Sequence, residues 1–576
     1  MLIRFLTTAV SFFALLIGPT ISSASDDYVT REFDVLFRNG VVIDGSGEDR
    51  FNADVGIVGD KIAAIGDLSR AVGKREIDLD GDIIAPGFID LHTHVTDGMY
   101  GRTGLLSRDP RRRAAANYVS QGITTVLGNP DGNQPNALKA QKKRLDALGI
   151  GPNVGLTNGH NGLRRIVMKK DQKRPATDEE IIAMRRIIDG DMAAGISFGM
   201  SIGSEYYSGR YSTPEEVVEL SRGLSAYNGI AIAHMRSQGD APMWYRPSRF
   251  RDIDPPSLDD AISEMLSVAT EAGATTVLTH MKAWGSYRGR AQELIDRIET
   301  VRAKGARVYM DVYPYGSSGS DGDFSALPDW AFGLESEEAS ERMDYTAALR
   351  KTMSLAGKNV MGDLADDIMH QIGMRGGAKN ILVLEYPNKE YVGKTFADVM
   401  EMTGKDEVDL VIALQLEGNR KKRGGGQFRS ISMGQRDIET FLKQSWTATS
   451  TDGWVVLPEE AVGKKKYINT HRRCFGSFPR RLAYYSNIRK VDALETAVRS
   501  ITSLPAEILS LTDRGLLRPG MKADIAAFDI DELSDTTTYL EPNRYPVGMS
   551  FVLVNGQFVV DQGERTFALP GKVLTR

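Results

Sequence analysis

One cysteine, Cys474, stands in a chain of 576 residues. A lone thiol excludes an internal disulfide, and it excludes a lipid-anchored leader, which needs a cysteine at its cleavage point. Stability must therefore come from a buried core. An excess of charge is also missing. With 71 Lys and Arg against 76 Asp and Glu, a net charge of -5 and no polybasic surface, nucleic acid is not an expected partner. Long apolar runs are scarce. The clearest, Phe5 to Ile17, follows Arg4 and ends at Gly18-Pro19 ahead of Ser22-Ser23-Ala24. It falls short of the roughly 20 apolar residues that span a bilayer. Its charged, apolar and small-residue order reads as a signal peptide over residues 1–24. The mature protein is then expected to be soluble, periplasmic or secreted, with no membrane attachment after cleavage.

The rest of the chain has two textures. Short β-like runs fill residues 33–85, for example Val41-Val42-Ile43 and Ile62-Ala63-Ala64-Ile65, punctuated by turn signals at Asn39-Gly40 and Gly59-Asp60. Similar runs return within 511–576, at Ile525-Ala526-Ala527-Phe528 and Phe551-Val552-Leu553-Val554. A small β-sandwich built from both termini is the simplest reading. Between them, over 86–510, strand-like runs alternate with helical patterns such as Pro214 to Tyr227 and Ser257 to Ala272, the mark of repeated βα units. The fold class is thus α/β, a TIM-like (β/α)8 barrel with strands near Phe88, Thr124, Val154, Ser197, Ile230, Thr276, Arg307 and Thr447. Residues 317–445 are far too many for one βα connection and read as an inserted subdomain. Its Lys421-Lys422-Arg423-Gly424-Gly425-Gly426 stretch reads as a mobile basic loop or, more simply, a solvated surface turn, and His370 as a solvated helix residue.

With only seven histidines in the chain, their placement is informative. His92-Thr93-His94 ends the first strand, and alternation sends residues i and i+2 to one face, so both rings can aim at one metal. His234 and His280 end two further strands, and Asp452 follows the last. Strand C-termini are where barrel enzymes gather their chemistry. Any one such histidine is more often structural, but four together with an aspartate form a coherent ligand set. Neutral imidazole suits zinc, which lowers the pKa of the water it holds to about 7. Asp452 is then the candidate general base that takes a proton and passes it to the leaving amine.

This pattern of HxH, His, His and Asp, with a split β-sandwich, resembles the amidohydrolase superfamily, and within it the N-acyl-D-amino-acid deacylase (D-aminoacylase) family. The resemblance covers nearly the whole mature chain. Its carriers include Pro86-Gly87-Phe88-Ile89-Asp90-Leu91-His92-Thr93-His94, Ser204-Glu205-Tyr206, Thr279-His280-Met281-Lys282, Ser450-Thr451-Asp452-Gly453 and His471-Arg472-Arg473. It implies hydrolysis of the amide bond of an N-acyl-D-amino acid, or of a dipeptide containing a D-residue, with one or two zinc ions. It also implies that Arg473, Lys282 and Tyr206 hold the substrate carboxylate, with His160 and His471 in supporting or structural places. One departure stands out. Where the family carries a metal-binding cysteine in a GNC motif, this chain has Gly128-Asn129-Pro130-Asp131. Asp131 either supplies a carboxylate ligand in its place or simply forms a Pro-Asp-Gly turn. The alternatives are a dipeptidase or hydantoinase-like amidohydrolase, or a non-catalytic periplasmic binding protein on the same fold. No lysine near the end of Val154–Asn158 would bridge two metals, and the retained histidines argue against a binding protein.

Overall fold

The computed structural model describes residues 32–576 except 100–101, 320–323, 335–342, 356–357 and 459–469; the expected signal peptide, 1–24, lies outside the described residues. Eight parallel strands hydrogen-bond in sequence order: Phe88–Asp90, Ile123–Gly128, Asn153–Gly159, Ser197–Gly203, Ile230–His234, Thr275–Leu278, Val308–Val312 and Thr447–Thr449. Every one lies at an expected strand. They are buried almost throughout, because helices cover one face and the barrel interior the other. The first and last strands are joined just beyond their ends. Gly453–Trp454 pairs in parallel with Thr93–His94, and Asp452 N donates to His92 O at 2.9 Å. The buried Asp90 carboxylate accepts from His92 N and Thr451 N, at 3.1 and 3.2 Å. The closure thus falls where the HxH histidines and Asp452 emerge.

The expected helices are present as Pro214–Ser221 and Leu258–Glu271. Each begins where Thr213 or Ser257 accepts a hydrogen bond from a first-turn amide. Their apolar faces, with Ile262, Met265 and Leu266, pack on Met200, Ala231 and Met310 of the strands.

The two ends of the chain meet in one continuous nine-stranded sheet. Ile525–Phe528 pairs antiparallel with Ile83–Pro86, joining the C-terminal strands to those between Glu32 and Asp78. Within 317–445 the packing divides. A separate core runs from Ala326 to Phe428 around a three-stranded sheet of Ser317–Ser318, Ile381–Glu385 and Gln427–Ile431. Helix Gln435–Leu442 instead buries Ile438, Phe441 and Leu442 in the barrel's own core. Ion pairs and close backbone packing hold the basic stretch. Lys422 pairs with Glu385 at 3.0 Å and Arg423 with Asp329 at 2.7 Å, while a Cβ on Gly425 would meet Leu414 O at 1.9 Å. His370 is on a helix as expected but is not solvated: it is half-buried, its ring 5.4 Å from that of Tyr245.

Candidate active site

All the expected metal-site residues converge at the C-terminal mouth of the barrel. Two overlapping sets of donor atoms form there, His92, His94, Asp131 and Asp452 in one and Asp131, His234 and His280 in the other. The atoms of each set lie within 4.8 Å of one another. Asp131 belongs to both. Its carboxylate oxygens lie 3.1 Å from His92 Nε2, 3.5 Å from His94 Nε2, 3.8 Å from His234 Nδ1 and 3.9 Å from His280 Nε2.

The backbone explains how Asp131 gets there. Asn133 N donates to Pro130 O at 2.8 Å, closing a turn whose central residues, Asp131 and Gly132, have φ of +55° and +73°. Positive φ at both places is the pattern of a type I′ turn, which Asp-Gly suits. A Cβ on Gly203 would sit 2.0 Å from Asp131 O, so this neighbour must be glycine for the turn to enter the barrel mouth. The residue therefore both makes the turn and faces the four imidazoles. His280 and Asp452 also take positive φ, +35° and +48°, which bends each side chain out of strand alternation toward the centre.

The donor set fits a divalent cation. His92 Nε2 and Asp131 Oδ1 are buried, and neither has a hydrogen-bond partner among the described residues. Imidazole nitrogens and carboxylate oxygens in a buried cluster suit zinc. The field is consistent with this. Burial would raise the Asp131 carboxyl, yet the surrounding His92, His94 and His234 rings hold it well below the usual carboxylate range. Burial works against a charged His94 ring, but Asp97, Asp131 and Asp452 outweigh it and raise the ring well above its ordinary value. His280 is depressed, by burial first and then by the neighbouring Lys282 ammonium.

A second ring of residues orients these side chains. His92 Nδ1 meets Thr279 Oγ1, which in turn donates to Asp311, and Asp311 accepts from His280 N at 2.9 Å. His94 Nδ1 lies 2.9 Å from Asp97 Oδ2, and the His94 ring stacks on Trp454 with centroids 4.3 Å apart. His234 Nε2 lies 2.7 Å from Glu205 Oε2. Hydrogen bonds of this kind on the far ring nitrogen fix the tautomer that a metal ligand needs.

The expected carboxylate-binding residues are also brought here. Lys282 is buried, its Nζ 2.8 Å from His280 Nδ1, and burial pushes the ammonium down to about 8. The Tyr206 ring is 4.3 Å from that of His234. Arg473 does not stand apart as an open fork: its Nη1 is 2.5 Å from Asp452 Oδ2 and its guanidinium carbon 4.7 Å over Tyr313. Burial would raise the Asp452 carboxyl, but Arg473 and His92 hold it well below the usual range. His471 supports Arg473, its Nδ1 accepting from Arg473 N at 3.0 Å. His160 lies in a separate buried network with Glu216 at 2.9 Å.

Comparison with known proteins fixes the kinship. Residues 456–560 match the model of the amidohydrolase family. A D-aminoacylase of Alcaligenes xylosoxydans xylosoxydans is 31% identical over 95% of this chain and 98% of its own length. The chain belongs to the D-aminoacylase family. An N-acyl-D-glutamate deacylase of the same organism is 28% identical over 95% of this chain and 97% of its own. Among solved structures, a D-aminoacylase studied for its binuclear metal center superposes with a TM-score of 0.70 at 27% identity, over 94% of this chain and all of that one. An N-acyl-D-glutamate deacylase from Bordetella bronchiseptica, complexed with zinc and a phosphonate mimic of the tetrahedral intermediate, gives 0.70 at 26%, over 95% and 100%. An L-hydantoinase from Arthrobacter aurescens, at 0.54 and 16%, shares the fold alone. Like its relatives, this member of the D-aminoacylase family is a metal-dependent amidohydrolase, acting on carbon–nitrogen bonds other than peptide bonds.

Sequence reasoning had not assigned Glu205, Asp311, Thr279, Asp97 or Trp454 a place in this site. The first three sit inside conspicuous motifs next to an expected ligand or strand end, which was the available signal. Asp97 and Trp454 carried none, and the Trp454 contact depends on how the first and eighth strands close.

Proposed function

We propose that this D-aminoacylase family member is a zinc-dependent N-acyl-D-amino-acid deacylase with Asp452 as general base. The observation that carries the reading is the Asp131 carboxylate set among four imidazoles, with Asp452 3.2 Å from His94 Nε2 and 3.5 Å from His92 Nε2. When bound, zinc would polarise the scissile carbonyl and make water a nucleophile at neutral pH. His92, His94, His234, His280 and Asp131 would hold it.

The chain's own residues account for the rest. Arg473 holds one Asp452 oxygen, so the other stays turned to the imidazoles and can take a proton and return it to the leaving amine nitrogen. Arg473 and Lys282, with the Tyr206 hydroxyl, place the substrate α-carboxylate, which fixes which face of the chiral centre meets the metal site. Arg473 would then be shared between Asp452 and the substrate. The charged, apolar and small-residue order of residues 1–24 supports a periplasmic or secreted location. The test is a paired screen of N-acyl-D- and N-acyl-L-amino acids with zinc supplied. Turnover confined to the D-series is expected, and equal turnover of L-isomers would overturn the assignment.

A further inference from the structure

Overall identity does not select the substrate's side chain: D-aminoacylase, N-acyl-D-glutamate deacylase and N-acyl-D-aspartate deacylase relatives match at 31%, 28% and 28%. That choice must reside in residues of this chain near the site. The loop after the fifth barrel strand is clamped to the inserted subdomain there. Asp367 accepts from Ser248 N and Oγ at 2.9 and 2.8 Å and from Trp330 Nε1 at 2.7 Å. The clamp brings the end of helix Lys358–Gly373 against the barrel, where a Cβ on Gly239 would meet Trp284 Cβ at 2.9 Å and Met374 Cε at 3.2 Å.

The next residue, Arg375, is only 6% exposed. Its guanidinium carbon lies 4.6 Å from the Trp284 ring centroid and 5.4 Å from that of Phe324. Among the described residues no carboxylate stands at ion-pair distance from it, and its Nε has no hydrogen-bond partner. Burial pushes its guanidinium down to about 10, even with Glu205 in the neighbourhood. A buried cation with no close counter-ion is costly unless something arrives to neutralise it. Gln238, whose backbone carbonyl accepts from Trp284 N at 3.3 Å, is 1% exposed, and neither amide atom of its side chain has a partner among the described residues.

These groups adjoin the reaction centre. The Trp284 ring is 5.7 Å from Lys282 Nζ, so the Arg375 guanidinium lies within about 10 Å of that ammonium. A separation of up to that bound leaves room for two carboxylates joined by a short carbon chain, each held by a charge-assisted hydrogen bond of about 2.8 Å.

We infer that Arg375, from the inserted subdomain, and Gln238 form the subsite for the substrate's D-side chain, and that this side chain ends in a carboxylate, as in an N-acyl-D-glutamate. The inference rests on the deacylase reading above and adds the side-chain class to it. It also gives the inserted subdomain a role, since the Asp367 clamp is among the contacts that hold its Arg375 against the barrel.

The test is kcat/KM for N-acetyl-D-glutamate, N-acetyl-D-aspartate, N-acetyl-D-glutamine and N-acetyl-D-leucine, measured on the zinc-supplied wild type and on Arg375→Met, Arg375→Lys and Gln238→Leu. The wild type should prefer the acidic substrates. Arg375→Met should lower the glutamate-to-leucine ratio by about 10- to 100-fold, the loss of one charge-assisted contact, mainly through KM. Arg375→Lys should restore part of it. A wild type that prefers N-acetyl-D-leucine overturns the inference and leaves the deacylase reading standing, as does an equal loss on all four substrates in Arg375→Met. A wild type that cleaves none of the D-substrates overturns both. Because the wild-type ranking needs no variant, a misfolded Arg375→Met cannot shield the inference.

Discussion

Replacing Asp131 by Asn separates its two roles, since it removes the charge and keeps the turn. Asn tolerates the positive φ of +55° and is nearly isosteric, so the chain should still enter the barrel mouth over Gly203. What disappears is the carboxylate that approaches four imidazoles at 3.1, 3.5, 3.8 and 3.9 Å and belongs to both donor sets. Loss of a group that merely orients a ligand typically weakens metal binding by about 10- to 100-fold. A shared direct ligand should exceed the upper end of that range. The expected outcome is zinc loss on dialysis together with loss of turnover, while the thermal unfolding of the metal-free protein shifts little. Asp131→Ala should lose zinc in the same way and cost a further 1 kcal/mol or so, because alanine resists positive φ. The assay is metal analysis of wild type and both variants after identical dialysis, backed by a chelator-competition titration. Unchanged zinc stoichiometry and affinity in Asp131→Asn would refute the ligand role and leave a histidine site beside a purely structural turn.

Other outcomes can be checked alongside. Asp452→Asn should keep the metal but lower kcat by about 10² to 10⁴ through lost proton transfer; near-wild-type turnover would remove Asp452 from the chemistry. Glu205→Gln should weaken zinc retention by about 10- to 100-fold by loosening His234, with unchanged retention counting against the orienting role. The buried Glu216, held between Arg164 and His160, predicts an acid transition. Burial alone would raise its carboxyl, but His160 and Arg164 bring it down to about 2. A depressed carboxyl stabilises the fold above its unfolded pKa near 4.5, and that stability is lost as pH falls toward 2, up to about 3 kcal/mol. Urea midpoints compared at pH 7 and pH 3 should fall more steeply for wild type than for Glu216→Gln, and parallel curves would exclude this linkage.

Much of the architecture can be read from residue order, because its signals are local. Each barrel strand is a short apolar run bounded by polar or small residues, and such a run buried on both faces reads the same in any context. The candidate ligands His92, His94, His234 and His280 were legible because they sit at the ends of such runs. Asp452 was legible for the same reason. Asp131 was visible only as a choice between ligand and turn, since Pro-Asp-Gly has the same local chemistry either way. Closure of the barrel and the cramped glycine at 203 show that it is a turn aimed at the imidazoles. Helix Gln435–Leu442 looked like part of the insertion because its amphipathic pattern does not say which core it faces; contact with the barrel decides that. The same holds for His370, whose helix is legible but whose burial depends on Tyr245 from a distant loop. Glu205 and Asp311 act on histidines supplied by other segments, His234 and His280. Periodicity specifies where a side chain leaves its own strand or helix, whereas the partners it meets are set by long-range packing, and only the tertiary structure contains that.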